Sequence, residues 1–212
     1  MIDWSLYFIA DSEALTGRNF LETIEKVVEG GATLIQLRGK KWSDREFFSM
    51  ALEVKKILAE RNIPLIINDR VDVALAVKAE GVHLGQKDLP IEAVRPLAPK
   101  KFIIGLSVNN LEEALRAERE GADYVGAGPI FWTSSKPDLR PPIGSQGLQA
   151  ICQAIRIPVI AIGGITLSSI PEIIAAGASG IALISAITLA ENPLEATRKI
   201  RNSIDLARKK IL

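Results

Sequence analysis

Eight short runs of Ile, Val and Leu recur along this chain, and nothing else in it restricts the architecture so strongly. They fall at residues 6–10, 33–37, 64–67, 81–84, 102–106, 124–127, 158–162 and 180–184. Each is apolar on both faces, the pattern of parallel strands covered by helices rather than of a sheet with one wet side. Between them lie segments with a 3.6-residue period. One is "REFFSMALEVKKILAER", announced by Ser43-Asp44 as an N-cap signal. Another is "NLEEALRAEREGADYV", in which Gly121 marks a helix end. The last helix is expected over about residues 193–209. A strand followed by a helix, eight times over, predicts an α/β fold: a single (β/α)8 TIM barrel spanning residues 1–212. The competing open, doubly wound sheet would carry a G-x-G-x-x-G turn after its first strand, where this chain has Asp11-Ser12-Glu13.

Composition narrows the chemistry. The 212 residues are 48% hydrophobic, with 26 basic and 25 acidic side chains, as expected of a soluble globular protein with one good core. A net charge of +1 gives no reason to expect nucleic acid or a membrane surface as partner, so small-molecule substrates are the expectation. The sequence neither requires nor excludes a homo-oligomer. Met1-Ile2-Asp3-Trp4-Ser5 lacks the features of a signal peptide, and no apolar run reaches the roughly 18 residues of a membrane span. A cytoplasmic location is therefore expected. One cysteine allows no internal disulfide and no Cys-based zinc site. With one histidine as well, any triad must use His83, and the available tools reduce to carboxylates, Lys and Arg, hydroxyls and backbone amides.

In a barrel the chemistry gathers at the C-terminal ends of the strands. Those positions read Asp11; Gln36-Leu37-Arg38-Gly39-Lys40; Asn68-Asp69; Gln86-Lys87-Asp88; Ser107; Thr133-Ser134-Ser135-Lys136; Gly163-Gly164; and Ser185. The cations Arg38, Lys40 and Lys136 suit phosphate oxygens. Gly163-Gly164 and Ser185 follow strands seven and eight, where many barrels hold a phosphate on backbone amides. Asp69 and Asp88 end neighbouring strands whose axes lie about 4.8 Å apart. Two carboxylates so close repel unless one is protonated or a cation lies between them. Beside phosphate-binding groups, Mg2+ fits: it takes one or two protein carboxylates and completes its shell with water and substrate phosphate. The plainer alternative is that Asp69 pairs with Arg70 or Arg38 and that Asp88 caps a helix beginning near Pro90-Ile91.

Taken together, "GGATLIQLRGK", "IINDRVDVALAVKAEGVHLGQKDLP", "IIGLSV", "EGADYVGAGPIF", "TSSKPD", "IPVIAIGGI" and "GIALISAI" make the sequence resemble the thiamine-phosphate synthases, from strand two to strand eight and in order. The Asn-Asp-Arg-Val-Asp-Val-Ala and His-Leu-Gly-Gln-x-Asp pair is the specific part; "AIGGI" occurs in many phosphate-binding barrels. The resemblance implies condensation of hydroxymethylpyrimidine diphosphate with a thiazole phosphate, or its carboxylated form, to thiamine monophosphate and pyrophosphate. It implies that Asp69 and Asp88 hold Mg2+, and that Gln36, Leu37, Arg38, Gly39, Lys40, Asn68, Ser107 and Lys136 line the pyrimidine diphosphate site. Thr133, Ser134, Ser135, Gly164, Ile184 and Ser185 would hold the thiazole phosphate. Lys136, Arg38 and Ser107 would serve the chemical step.

Two departures stand out. Gly39 occupies a position where such proteins often carry Glu, and Asn109 one where they often carry His. Related thiazole tautomerases use a His near Asn109 and lack the paired aspartates, so an isomerase is the weaker reading, and a non-catalytic phosphate-ligand-binding barrel weaker still. Among the other candidates, His83 reads as a hydrogen-bonded core histidine and Cys152 as core. "RKIRNSIDLARKK" reads as a solvated helix face. Trp132 either lines the pocket or covers the loop "WTSSKPDLRPPIGSQG", whose length suggests a lid.

Overall fold

The computed structural model describes residues 2–133 and 140–210. Eight parallel strands close into a barrel in chain order: β1 (Leu6–Asp11), β2 (Leu34–Arg38), β3 (Leu65–Asn68), β4 (Gly81–Leu84), β5 (Ile103–Val108), β6 (Tyr124–Ala127), β7 (Val159–Ile162) and β8 (Gly180–Leu183). β1 pairs with both β2 and β8, which closes the ring. The helices are α1 (Phe20–Glu29), α2 (Asp44–Ala59), α3 (Val71–Ala76), α4 (Ile91–Val94), α5 (Leu111–Arg119), α6 (Gly144–Ala154), α7 (Ile170–Ala175), α8 (Ser185–Thr188) and α9 (Pro193–Lys209). None of the helices among the described residues is long and apolar enough to cross a membrane.

The local signals hold where caps are strong. Ser43 and Glu46 form a capping box at the start of α2. Asn110 accepts from Glu113 N at the start of α5, and Gly121, at φ +88°, turns the chain out of that helix into β6. Four of the expected strands begin one residue early, because Thr33, Pro64, Phe102 and Pro158 belong to the turns that feed them.

Strand alternation sorts side chains into two cores. The outer core, between strands and helices, takes residues such as Phe8, Ile35, Leu37, Ile67, Val82, Ile104, Val125 and Ala161. The inner core fills the barrel with Tyr7, Ile9, Leu34, Ile66, Ile103, Tyr124, Ile160, Ala182 and Ile184. Trp4 packs on Tyr124, ring centroids 4.8 Å apart, and plugs the N-terminal end of the barrel. α9 joins this closure: Arg201 bonds Asp3, and Arg208 bonds the Ser5 hydroxyl and the Ser179 carbonyl.

Candidate active site

The opposite mouth of the barrel is charged. Asp11 ends β1 and stands in register with Arg38 at the end of β2. The two form an ion pair that is largely buried. The other oxygen of Asp11 accepts from Glu13 N at 2.9 Å and Ala14 N at 3.0 Å. Asp11 is thus fixed to its own turn and in turn fixes the guanidinium. Sequence alternation identifies the face on which Asp11 lies but not this partner.

Asp69 follows β3 in the left-handed region, φ +61°, a conformation that few residues besides Gly, Asn and Asp adopt. Its N–H donates to the His83 carbonyl at 2.9 Å, tying the turn to β4. Its carboxylate pairs with Lys40, not with Arg70 or Arg38. Arg70 is held by Asp72 and Asp44 at 2.6 Å each, and Arg38 by Asp11. Asp88 does not cap α4, whose N-cap is Pro90 and which has no side-chain cap. Instead Asp88 accepts from Gly85 N at 2.6 Å, which curls the β4 turn back on itself. Burial, and then the neighbouring Asp69 carboxylate, push the Asp88 carboxyl above its ordinary range, while Gly85 N–H and Lys40 pull the other way. The two carboxylates therefore do share one space, and the folded protein resists charging both. A divalent cation fits such a donor set. Among the described residues no group of three His, Cys, Asp or Glu gathers to hold a metal, and a pair of carboxylates is within what Mg2+ takes from a protein.

Gln36 is buried inside the barrel and donates through Nε2 to the Tyr7 hydroxyl at 2.9 Å. Leu37 points the other way, into the outer core, so its backbone alone faces the mouth. Gly39 lies under the Trp42 ring; a Cβ there would come within 2.2 Å of it. Asn68 is half-buried at the end of β3, in register with His83. Ser107, on β5, lies 2.9 Å from His83 Nε2 and offers its carbonyl to Gln86 Nε2 at 2.6 Å. His83 is hydrogen-bonded as expected, but its partners include a site residue. Tyr7 and Tyr124, which complete its network, read from the sequence only as strand apolars.

The second cluster forms around β6, β7 and β8. Phe131 N donates to the Gly163 carbonyl at 3.0 Å, and a Cβ on Gly164 (φ +66°) would lie 2.6 Å from the Trp132 carbonyl oxygen. The chain just before Thr133 is thereby laid against Gly164. Trp132 itself is exposed. Ile184 is buried, and Ser185 opens α8 just past the end of β8. Ser134, Ser135 and Lys136 lie outside the described residues, as does the middle of the expected lid. Its return is anchored by Arg140, which pairs with Glu113 at 2.8 Å, and by Asn109, which donates to the carbonyls of Gly128 at 3.0 Å and Pro141 at 3.4 Å. Cys152, expected in the core, is half-buried on α6 against Gly177.

Comparison with known proteins gives matches over nearly the whole chain. Residues 6–187 match the family described as thiamine monophosphate synthase. A thiamine-phosphate synthase of Chloroflexus aurantiacus is 45% identical over 212 residues, all of this chain and 98% of that protein. One of Clostridium novyi is 45% identical over 201 residues, 95% of this chain and 98% of that one. A solved structure of a thiamine phosphate pyrophosphorylase from Pyrococcus furiosus superposes with a TM-score of 0.89 at 41% identity, covering 97% of this chain and 98% of that one.

Proposed function

We infer the chemistry from one premise: the chain belongs to the thiamine monophosphate synthase family of transferases. The reaction joins hydroxymethylpyrimidine diphosphate to thiazole phosphate, giving thiamine monophosphate and pyrophosphate. In our reading the pyrimidine diphosphate lies over Gln36, Asn68 and Ser107, with its phosphates toward Arg38, Lys40 and Lys136. The thiazole phosphate lies on Gly164, Ile184 and Ser185, with Thr133, Ser134 and Ser135 beside it. Asp69 and Asp88 would hold Mg2+, which when bound supplies positive charge against the leaving pyrophosphate. We also place the enzyme in the cytoplasm.

What supports this reading is the Asp69–Asp88 pair with Lys40 against it. Carboxylates forced together beside fixed cations suit a site that handles a polyanion through a metal. Arg38, fixed by Asp11, keeps further N–H groups for phosphate oxygens. Neutralising the leaving group and aligning two rings is what this substitution asks of a protein; the thiazole nitrogen needs no base. We propose that the carbon–oxygen bond to pyrophosphate breaks ahead of attack, with the aminopyrimidine carrying the positive charge. The test is single-turnover bond formation with the natural donor and with one whose ring methyl is trifluoromethyl, both saturating. Each 1.4 kcal/mol or so of lost cation stabilisation slows the step about tenfold, so a fall of several orders of magnitude is expected. Equal rates would favour direct displacement. Absence of pyrophosphate release with the natural pair would remove the reading itself.

A further inference from the structure

Five buried or half-buried side chains from β1, β2, β4, β5 and β6 form one unbroken line under the site. Gln36 Nε2 donates to the Tyr7 hydroxyl at 2.9 Å, which meets the Tyr124 hydroxyl at 2.9 Å. Tyr124 lies 2.9 Å from His83 Nδ1, and His83 Nε2 lies 2.9 Å from Ser107 Oγ. The barrel makes room for this line. A Cβ on Gly105 would lie 2.2 Å from the Tyr124 ring, and one on Gly126 would lie 3.1 Å from the His83 ring. Both ends, Gln36 and Ser107, belong to the proposed pyrimidine site; the three residues between them have no part in the reaction as written.

The line has a direction. Burial pushes both phenols well above their ordinary range, so each keeps its proton. The Tyr7 oxygen takes an N–H from Gln36, and its own proton goes to its other partner, Tyr124. A buried hydroxyl left without an acceptor would be costly. Tyr124 then gives its proton to His83 Nδ1. That fixes the Nε2–H tautomer, and Nε2–H donates to Ser107 Oγ. Ser107 therefore has its own O–H to offer to the mouth. Gln36, with its nitrogen committed to Tyr7, offers its amide oxygen. These two strands stand three apart in a ring of eight, so the two groups address opposite ends of whatever ring lies between them.

We propose that Tyr7, Tyr124 and His83 are positioning residues whose one-way hydrogen-bond chain sets Gln36 as acceptor and Ser107 as donor, selecting a ring with an exocyclic amino group at one end and an unprotonated nitrogen at the other. An oxo group in place of the amino group would set acceptor against acceptor. The ring's identity rests on the reaction proposed above; the direction of the chain does not.

His83 is the one histidine, so 15N NMR of the full protein reads its ring without ambiguity. The wild type is expected to show the Nε2–H tautomer, and Tyr124→Phe a mixture. In kcat/KM, the wild type is expected to prefer the amino over the 4-oxo pyrimidine diphosphate. Tyr124→Phe should cut that preference at least tenfold while leaving KM for the thiazole phosphate unchanged. An Nδ1–H tautomer in the wild type, or an undiminished preference in a folded Tyr124→Phe protein, overturns the proposal. If that variant does not fold, the wild-type tautomer still decides the direction. If the wild type releases no pyrophosphate, the reaction is wrong, and calorimetric titration with the amino and oxo pyrimidine alcohols tests the selection without turnover. Equal affinities would overturn it.

Discussion

Burial, and then the Asp69 carboxylate beside it, make the folded chain resist a charge on Asp88. Folding therefore disfavours the ionised form, and at neutral pH without metal this lowers stability. Asp88→Asn keeps the acceptor for Gly85 N–H and removes both the buried charge and the repulsion. It should raise the metal-free Tm by a degree or two, about 0.5 kcal/mol after allowing for solvent screening. The same change should cost at least a hundredfold in turnover and abolish any rise of Tm with Mg2+, with thermal melts ± Mg2+ and a pyrophosphate assay as the measurements. Cys152 behaves otherwise. Burial pushes its thiol up to about 11, so it stays protonated at pH 8 and iodoacetamide should modify it much more slowly than a free thiol. Cys152→Ser should cost about 1 kcal/mol in urea and leave turnover intact. Residues whose chemistry is intrinsic, such as Asp69, Asp88 and Arg38, were legible in the sequence. Their partners were not: Asp11 for Arg38, Lys40 for Asp69 and Gly85 for Asp88 depend on backbone turns that no periodicity encodes.

At the scale of elements, β2 and the turn into α2 explain one departure from the synthase pattern. The Trp42 ring covers Gly39 and is itself wedged between Phe20 and Phe47, at centroid distances of 5.2 and 5.9 Å. A side chain at position 39 must displace that ring. Gly39→Glu should destabilise by about 1–3 kcal/mol, and the added cost should largely vanish in a Trp42→Ala background. A double-mutant cycle in urea measures the coupling; additivity would mean the ring moves freely. The strands were legible because both faces are apolar over four to six residues, and α2 because its cap, period and length agree. The turn residues that precede four strands were not, since Thr33 and Phe102 suit a strand as well as a turn. The division of strand residues into two cores was legible only as alternation. That Tyr7 and Tyr124 meet inside, far apart in sequence, depends on closure of the ring.

Across the whole molecule, the barrel is finished at its lower end by residues outside the strands. Trp4 packs beneath Tyr124, and its carbonyl sits where a Cβ on Gly180 would lie, 1.7 Å away. Trp4→Ala should cost about 2 kcal/mol, less than a fully buried Trp because the ring is half-buried. Urea midpoints at constant m-value check this; a loss under 0.5 kcal/mol would mean the plug is not part of the core.

The glycines of the barrel wall bear on how such a protein can change over time. Gly105 is empty because Tyr124 fills its place, and Gly126 because His83 leans over it. Gly105 cannot gain a side chain while Tyr124 fills its place, and one at Gly126 would require the His83 ring to give way by a few tenths of an ångström. A side chain at Gly105 is thus constrained to arrive together with a smaller residue in place of Tyr124. A lineage drifting one residue at a time would therefore keep Gly105 and Tyr124 as a pair.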